Sequence, residues 1–146
     1  MDSIPLALLL LRASRWFDRQ LLTGLQHQGW PTLTPAQSLV FAYLDPAGIP
    51  PAELARHLGH TRQATHQLIT GLVALDLLTV QPNPARRGGL LVTLTDRGKA
   101  LTRDARRILR RLEYELGTDQ AHQLRTLLTG LDQRHPSTSA PAASTT

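Results

Sequence analysis

Residues 51–75, PAELARHLGHTRQATHQLITGLVAL, decide the fold. Pro51 can open a helix at its first turn, where the missing N–H costs nothing. Leu54, Ala55 and Leu58 then recur three and four residues apart, which puts them on one face. Gly59 closes this short helix, because glycine enters the left-handed region without a Cβ penalty. Thr61 is an N-cap for a second helix in which Ala64, Leu68, Leu72 and Leu75 share a side. Two short helices joined by a glycine-containing turn make a helix-turn-helix. Opposite that apolar side stand Arg62, Gln63, His66, Gln67 and Thr70, all able to hydrogen-bond and none acidic. A solvated helix face usually mixes both signs of charge, so an acid-free face beside a Thr61 cap points to an anionic partner. A major groove about 12 Å wide admits such a helix, with Arg suited to guanine and Gln to adenine.

Downstream, Leu77 to Gln81 and Leu90 to Leu94 are short β-type runs around a segment from Pro82 to Gly89 rich in Pro, Gly and Arg. That predicts a hairpin whose tip carries Arg86 and Arg87 beside two glycines, suited to a DNA backbone or a narrow minor groove. A solubilising turn would look much the same. Thr95 with Asp96 can then cap a long helix in which Leu101, Ala105, Ile108, Leu112 and Leu116 recur at coiled-coil-like spacing. Gly117 stops it, and Thr118 is placed as the cap of a last helix carrying Ala121, Leu124, Leu127, Leu128 and Leu131. Upstream, Pro5 opens a long helix with Leu6, Leu9, Leu10, Ala13, Phe17, Leu21 and Leu25 on one stripe. Its apolar stripe is wide enough to face a partner helix as well as its own core. Thr34 and Pro35 begin a second helix holding Leu39, Val40, Tyr43 and Leu44. A short extended link at Ile49 and Pro50 leads back to residue 51.

The fold class is therefore mainly α with a small β-hairpin wing: a winged helix-turn-helix core flanked by N- and C-terminal dimerisation helices. The corresponding division is 1–30 for the N-terminal dimerisation helix, 31–98 for the DNA-binding domain and 99–134 for the C-terminal dimerisation helices. Residues 135–146, where from Pro136 only Pro, Ser, Thr and Ala appear, make a tail too polar and small to pack and expected to be disordered.

The totals agree. At 146 residues the chain suits one core and a dimerisation surface rather than a catalytic domain plus a separate reader. Sixteen Lys and Arg against eleven Asp and Glu give +5, almost all of it arginine, whose forked donors match phosphate oxygens and the guanine edge. Biased coding also enriches arginine. The chain has no cysteine, which excludes disulfides, Cys-ligated zinc and a thiolate nucleophile. Leu6 to Leu11 is too short for a membrane span and lacks signal-peptide flanks, so a cytoplasmic location without membrane association is expected.

No paired carboxylates, nucleophile with its base, phosphate loop or metal spacing stands out, so no catalytic residue, metal or cofactor is assigned. His57, His60 and His66 lie close together but not in the order of a helical zinc motif.

The order of parts resembles the MarR family of winged-helix regulators, over residues from about 5 to 134. The resemblance rests on Leu54-Ala55 with Leu58-Gly59, on Thr61-Arg62-Gln63-Ala64, on Leu75 to Val80, and on Val92-Thr93-Leu94-Thr95-Asp96-Arg97-Gly98. It implies a bacterial regulator, often a repressor, that binds a palindromic double-stranded operator as a homodimer and places Arg87 in the minor groove. It also implies small aromatic or anionic effectors in a cleft between dimer helices and reader, near which Trp16, Trp30, Phe41 and Tyr43 are the aromatic candidates. Those four fit an ordinary core equally well. One departure stands out: family members commonly carry Asp followed by Arg in the wing, and here Arg86 precedes Arg87. The usual wing ion pair is in doubt, and the wing is more positive. Two other readings stay open, a winged helix used for protein association and a nonspecific architectural DNA binder.

Overall fold

The helix-turn-helix forms as the spacing predicts, α3 over Pro51–Leu58 and α4 over Arg62–Ala74. In a computed structural model, which describes residues 3–134, they belong to a chain of six helices and a two-stranded hairpin. The others are α1 (Leu6–His27), α2 (Pro35–Ala42), α5 (Asp96–Leu116) and α6 (Thr118–Arg134), with β1 (Leu78–Pro82) and β2 (Leu90–Leu94) between α4 and α5. The tail expected to be disordered, 135–146, lies outside the described residues.

The chain divides into two compact units, Met1–Arg110 and Arg111–Thr146. In the first, the core is built where α2, α3, α4 and the hairpin meet: Val40, Leu54, Leu72, Leu77, Leu78 and Val92 are all almost wholly buried. Each such aliphatic side chain contributes about 1.5–3 kcal/mol of burial energy. The strands pair antiparallel with Val80 opposite Val92 and Pro82 opposite Leu90. Pro82, expected in the loop, thus ends β1, a place where a ladder can lack a donor. The predicted extended link goes further than expected. Ile49 exchanges both backbone hydrogen bonds with Val92, at 3.0 and 2.9 Å, and adds a one-residue third strand. Gly48 makes this approach possible: a Cβ there would sit 2.7 Å from the Thr93 side chain, and its φ is +92°.

Three local expectations are corrected. The helix α2 stops at Ala42, so Tyr43 and Leu44 lie beyond it; Gly48 N–H turns back onto the Asp45 carbonyl, and the Asp45 carboxylate accepts from Ala47 N–H. The buried stripe of α4 is Thr65, Ile69 and Leu72, with Ala64, Leu68 and Leu75 only half-buried. Thr65 can be buried because its hydroxyl donates to the Thr61 carbonyl at 2.9 Å, which satisfies the polar group locally. Thr118 is the first residue of α6 rather than its cap; Gly117, at φ +102°, accepts from Ala121 N–H instead.

The stripe of α1 sinks along its length, from Leu6 at 68% exposed to Leu25 at 2%. In the second unit, α6 buries no residue at all, and Leu127 is 69% exposed. Glu113 and Arg125 form an ion pair there.

Candidate nucleic-acid interface

Thr61 organises the start of α4. Its extended backbone breaks from α3, its hydroxyl accepts from Ala64 N–H at 3.1 Å, and its carbonyl accepts from Thr65. The preceding turn is equally defined. Gly59 adopts φ +66°, its N–H donates to Arg56, and His60 N–H reaches the Ala55 carbonyl at 3.1 Å. These two bonds satisfy the Ala55 and Arg56 carbonyls in the last turn of α3 and fix the turn between the helices.

With Thr65, Ile69 and Leu72 turned inward, Arg62, Gln63, His66, Gln67 and Thr70 are all exposed, together with Thr61. The three residues 62, 66 and 70 follow one another by i, i+4 along the outer surface, with 63 and 67 beside them. No acidic residue lies in α4. A face of forked cation, amides, imidazole and hydroxyl on a capped helix can donate to or accept from base edges and phosphates.

The hairpin tip adds Arg86 and Arg87, both exposed and neither paired with a carboxylate among the described residues. There is no acidic residue between Asp76 and Asp96, so the hairpin holds no partner for them. Gly88 takes φ +74° at the turn.

A cleft of about 1100 Å³ opens in the first unit among α1, α2 and α5. Leucine is the commonest residue in its walls, joined by Phe17 and Phe41, and its basic side chains are Arg15, Lys99, Arg103 and Arg106, with His60 beside them, against one acid, Asp18. Of the four aromatic candidates only Phe41 lines it. Trp16 is 36% exposed and meets Phe17 edge-on at 5.0 Å. Trp30 donates its indole N–H to Asp104 at 2.8 Å, and the Arg97 guanidinium stands 5.7 Å from its ring. Tyr43 stacks on His57 at 5.1 Å, while His57 lies 3.8 Å from Glu53. Phe17, which is not among those four, lines the cleft from the same α1 stripe as Leu21 and Leu25. Of the arginines along α5, Arg103 and Arg106 line the cleft, while Arg107, Arg110 and Arg111 take no part in it.

Residues 32–87 match the model of the MarR family. No curated protein sequence matches the chain. Among solved structures, the chain is similar to the reduced form of MarR from E. coli, at 28% identity and a TM-score of 0.69, covering 90% of this chain and 98% of that one. It is also similar to the MarR family protein Rv2887 of Mycobacterium tuberculosis in complex with salicylic acid, at 27% identity and a TM-score of 0.62, covering 89% and 98%. A likeness of fold extends to the transcriptional regulator Tm0710 of Thermotoga maritima, at 22% identity and a TM-score of 0.61, covering 92% and 99%.

Proposed function

We propose that this chain, which belongs to the MarR family of winged-helix regulators and is a DNA-binding transcription factor rather than an enzyme, acts in the bacterial cytoplasm as a homodimeric repressor of a palindromic operator. The observation that carries the reading is the exposed, acid-free outer face of α4 beside a hairpin tip with two unpaired arginines. Arg62, Gln63, His66, Gln67 and Thr70, with the Thr61 cap, enter a major groove, while Arg86 and Arg87 reach the flanking minor groove. Residues 31–98 supply this reader.

Residues 1–30 and 99–134 supply the dimer. The first turns of α1 expose Leu6, Leu8, Leu9 and Leu11, and α6 exposes Leu124, Leu127, Leu128 and Leu131. Apolar stripes of this extent favour a second copy over water. A two-fold dimer presents two α4 helices to successive major grooves about 34 Å apart, which is why the operator is palindromic. Bound at a promoter, it excludes competitors.

The cleft supports regulation by a small organic anion. Leucine and phenylalanine walls take an apolar body, and Arg15, Lys99, Arg103 and Arg106 surround it with positive charge. The M. tuberculosis relative was solved with salicylic acid, which fits an aromatic acid as the first candidate. Such a ligand releases DNA only by favouring one spacing of the two readers over another.

Selection of bound duplexes from a random library, followed by titration of the winner at several salt concentrations, tests the reading. A palindrome with half-sites about one helical turn apart and an affinity falling steeply with salt is expected. Salt-sensitive binding without enrichment would make the protein an architectural binder, and absence of binding would leave an association module.

A further inference from the structure

We propose that Asn83 is the positioning residue of the wing, the group that holds Arg86 and Arg87 in place for DNA without any ion pair; this rests on the reading of the wing as a DNA contact. The hairpin contains no acid from residue 77 to residue 95, so no carboxylate within it can orient a guanidinium. The tip is held by its backbone and one side chain instead. Asn83 N–H donates to the Gly89 carbonyl at 2.9 Å and closes the hairpin. The Asn83 side-chain oxygen accepts from Ala85 N–H at 3.0 Å, and its backbone carbonyl accepts from Arg86 N–H at 3.2 Å. A last bond runs from Gly89 N–H to the Arg86 carbonyl at 3.0 Å.

Three of these four bonds therefore use Asn83, through three different atoms. They define two consecutive turns, 83–86 and 86–89, that share Arg86 as their common corner. Pro84 reinforces the first turn: it fixes its own φ and has no N–H, which leaves Ala85 as the donor the asparagine oxygen captures. Gly89 has little room for a side chain, since a Cβ would lie 3.1 Å from the Arg86 carbonyl. Two guanidinium groups on adjacent residues repel one another and would splay a loose loop. A tip closed by its own turns holds both while leaving all their donors for phosphate, and binding then spends less on ordering the loop.

The test is a double-mutant cycle on the full-length protein with a mixed-sequence DNA duplex about three helical turns long. Asn83→Ala, which removes the side-chain bond to Ala85 N–H and leaves the backbone bonds, is expected to weaken binding about fivefold per wing as the looser tip must be ordered on DNA, with a fall in melting temperature of no more than a few degrees. Asn83→Ser, which keeps an acceptor, should recover most of that loss. In an Arg86→Ala/Arg87→Ala background the same Asn83→Ala substitution should cost nothing, because the groups it positions are gone. Unchanged affinity in Asn83→Ala, an equal loss in the arginine-free background, or a loss of folded protein at the assay temperature large enough to account for the weaker binding would each overturn the positioning role while leaving the wing on DNA. Full affinity in the Arg86→Ala/Arg87→Ala variant would remove the wing reading itself, and the proposal with it.

Discussion

A Cβ on Gly98 would lie 2.0 Å from the carbonyl oxygen of Leu77, closer than any relaxed contact, so the first turn of α5 meets the exit from α4 with no space between. Thr95 fastens the same junction. Its N–H donates to that Leu77 carbonyl at 3.1 Å, its hydroxyl donates to the Asp76 carbonyl at 2.6 Å, and its oxygen accepts from Gly98 N–H at 2.9 Å. Asp76 itself sits at φ +58°, in the left-handed region. Gly98→Ala is therefore expected to destabilise by about 1–3 kcal/mol, as overpacking of a rigid contact does. Thermal unfolding checks this, and an unchanged midpoint would mean the junction yields more readily than the geometry implies. On the reader face, Arg62→Ala should cost on the order of 1–3 kcal/mol of operator binding and relax base preference, while Arg87→Ala should weaken binding to all sequences and reduce the salt slope by about one. Equal affinity in both variants would sink the assignment. The outward set on α4 was legible because charge pattern marks it directly. Of its inward set Leu72 was legible and Thr65 was not, because hydrophobicity ranks Thr65 below Leu68, and only the bond to the Thr61 carbonyl makes a threonine suitable for the core.

Among the elements, α4 starts on a single side-chain cap. Thr61 supplies the hydroxyl for Ala64 N–H and the carbonyl for Thr65 N–H and hydroxyl alike. Thr61→Ala should cost about 1 kcal/mol of stability, measured by denaturant titration, and Thr61→Ser should restore it; a neutral alanine would show that neighbouring contacts hold the helix start unaided. Caps of this kind are written in sequence: Thr34 with Gln37 forms the reciprocal pair at the start of α2, and Thr61 repeats half of it. Helix ends were less legible where tertiary contacts set them. Tyr43 continues the apolar pattern of α2, yet it leaves the helix and stacks on His57 of α3. The cleft was legible as a place and not as a set of residues. Which of two neighbouring aromatics, Trp16 or Phe17, faces it depends on the rotation of α1, and one residue is worth about 100° on a helix.

For the whole molecule the decisive quantity is apolar surface left uncovered. In the second unit α6 is a helix of 17 residues with none buried, though Leu124, Leu127, Leu128 and Leu131 follow the spacing of a core stripe. In the first unit, the opening turns of α1 leave Leu6 and Leu11 more than half exposed. A monomer would hold these surfaces in water while carrying a formal charge of +5 that does nothing to cover them. If a second copy covers them, charge placed on the stripe must separate the copies before it unfolds either one. Leu127→Glu combined with Leu128→Glu is expected to sediment as a monomer at concentrations where the native protein is a dimer, and to keep its helical circular dichroism. Because one half-site then binds without its linked neighbour, operator affinity should fall on the order of a hundredfold or more, while the salt slope drops toward half its value as the number of phosphates contacted halves. A variant that remains dimeric, with operator binding intact, would place the interface elsewhere than on α6. A monomeric variant that still binds the palindrome at full strength would show that each reader works alone, and the link from dimer to operator symmetry would be broken.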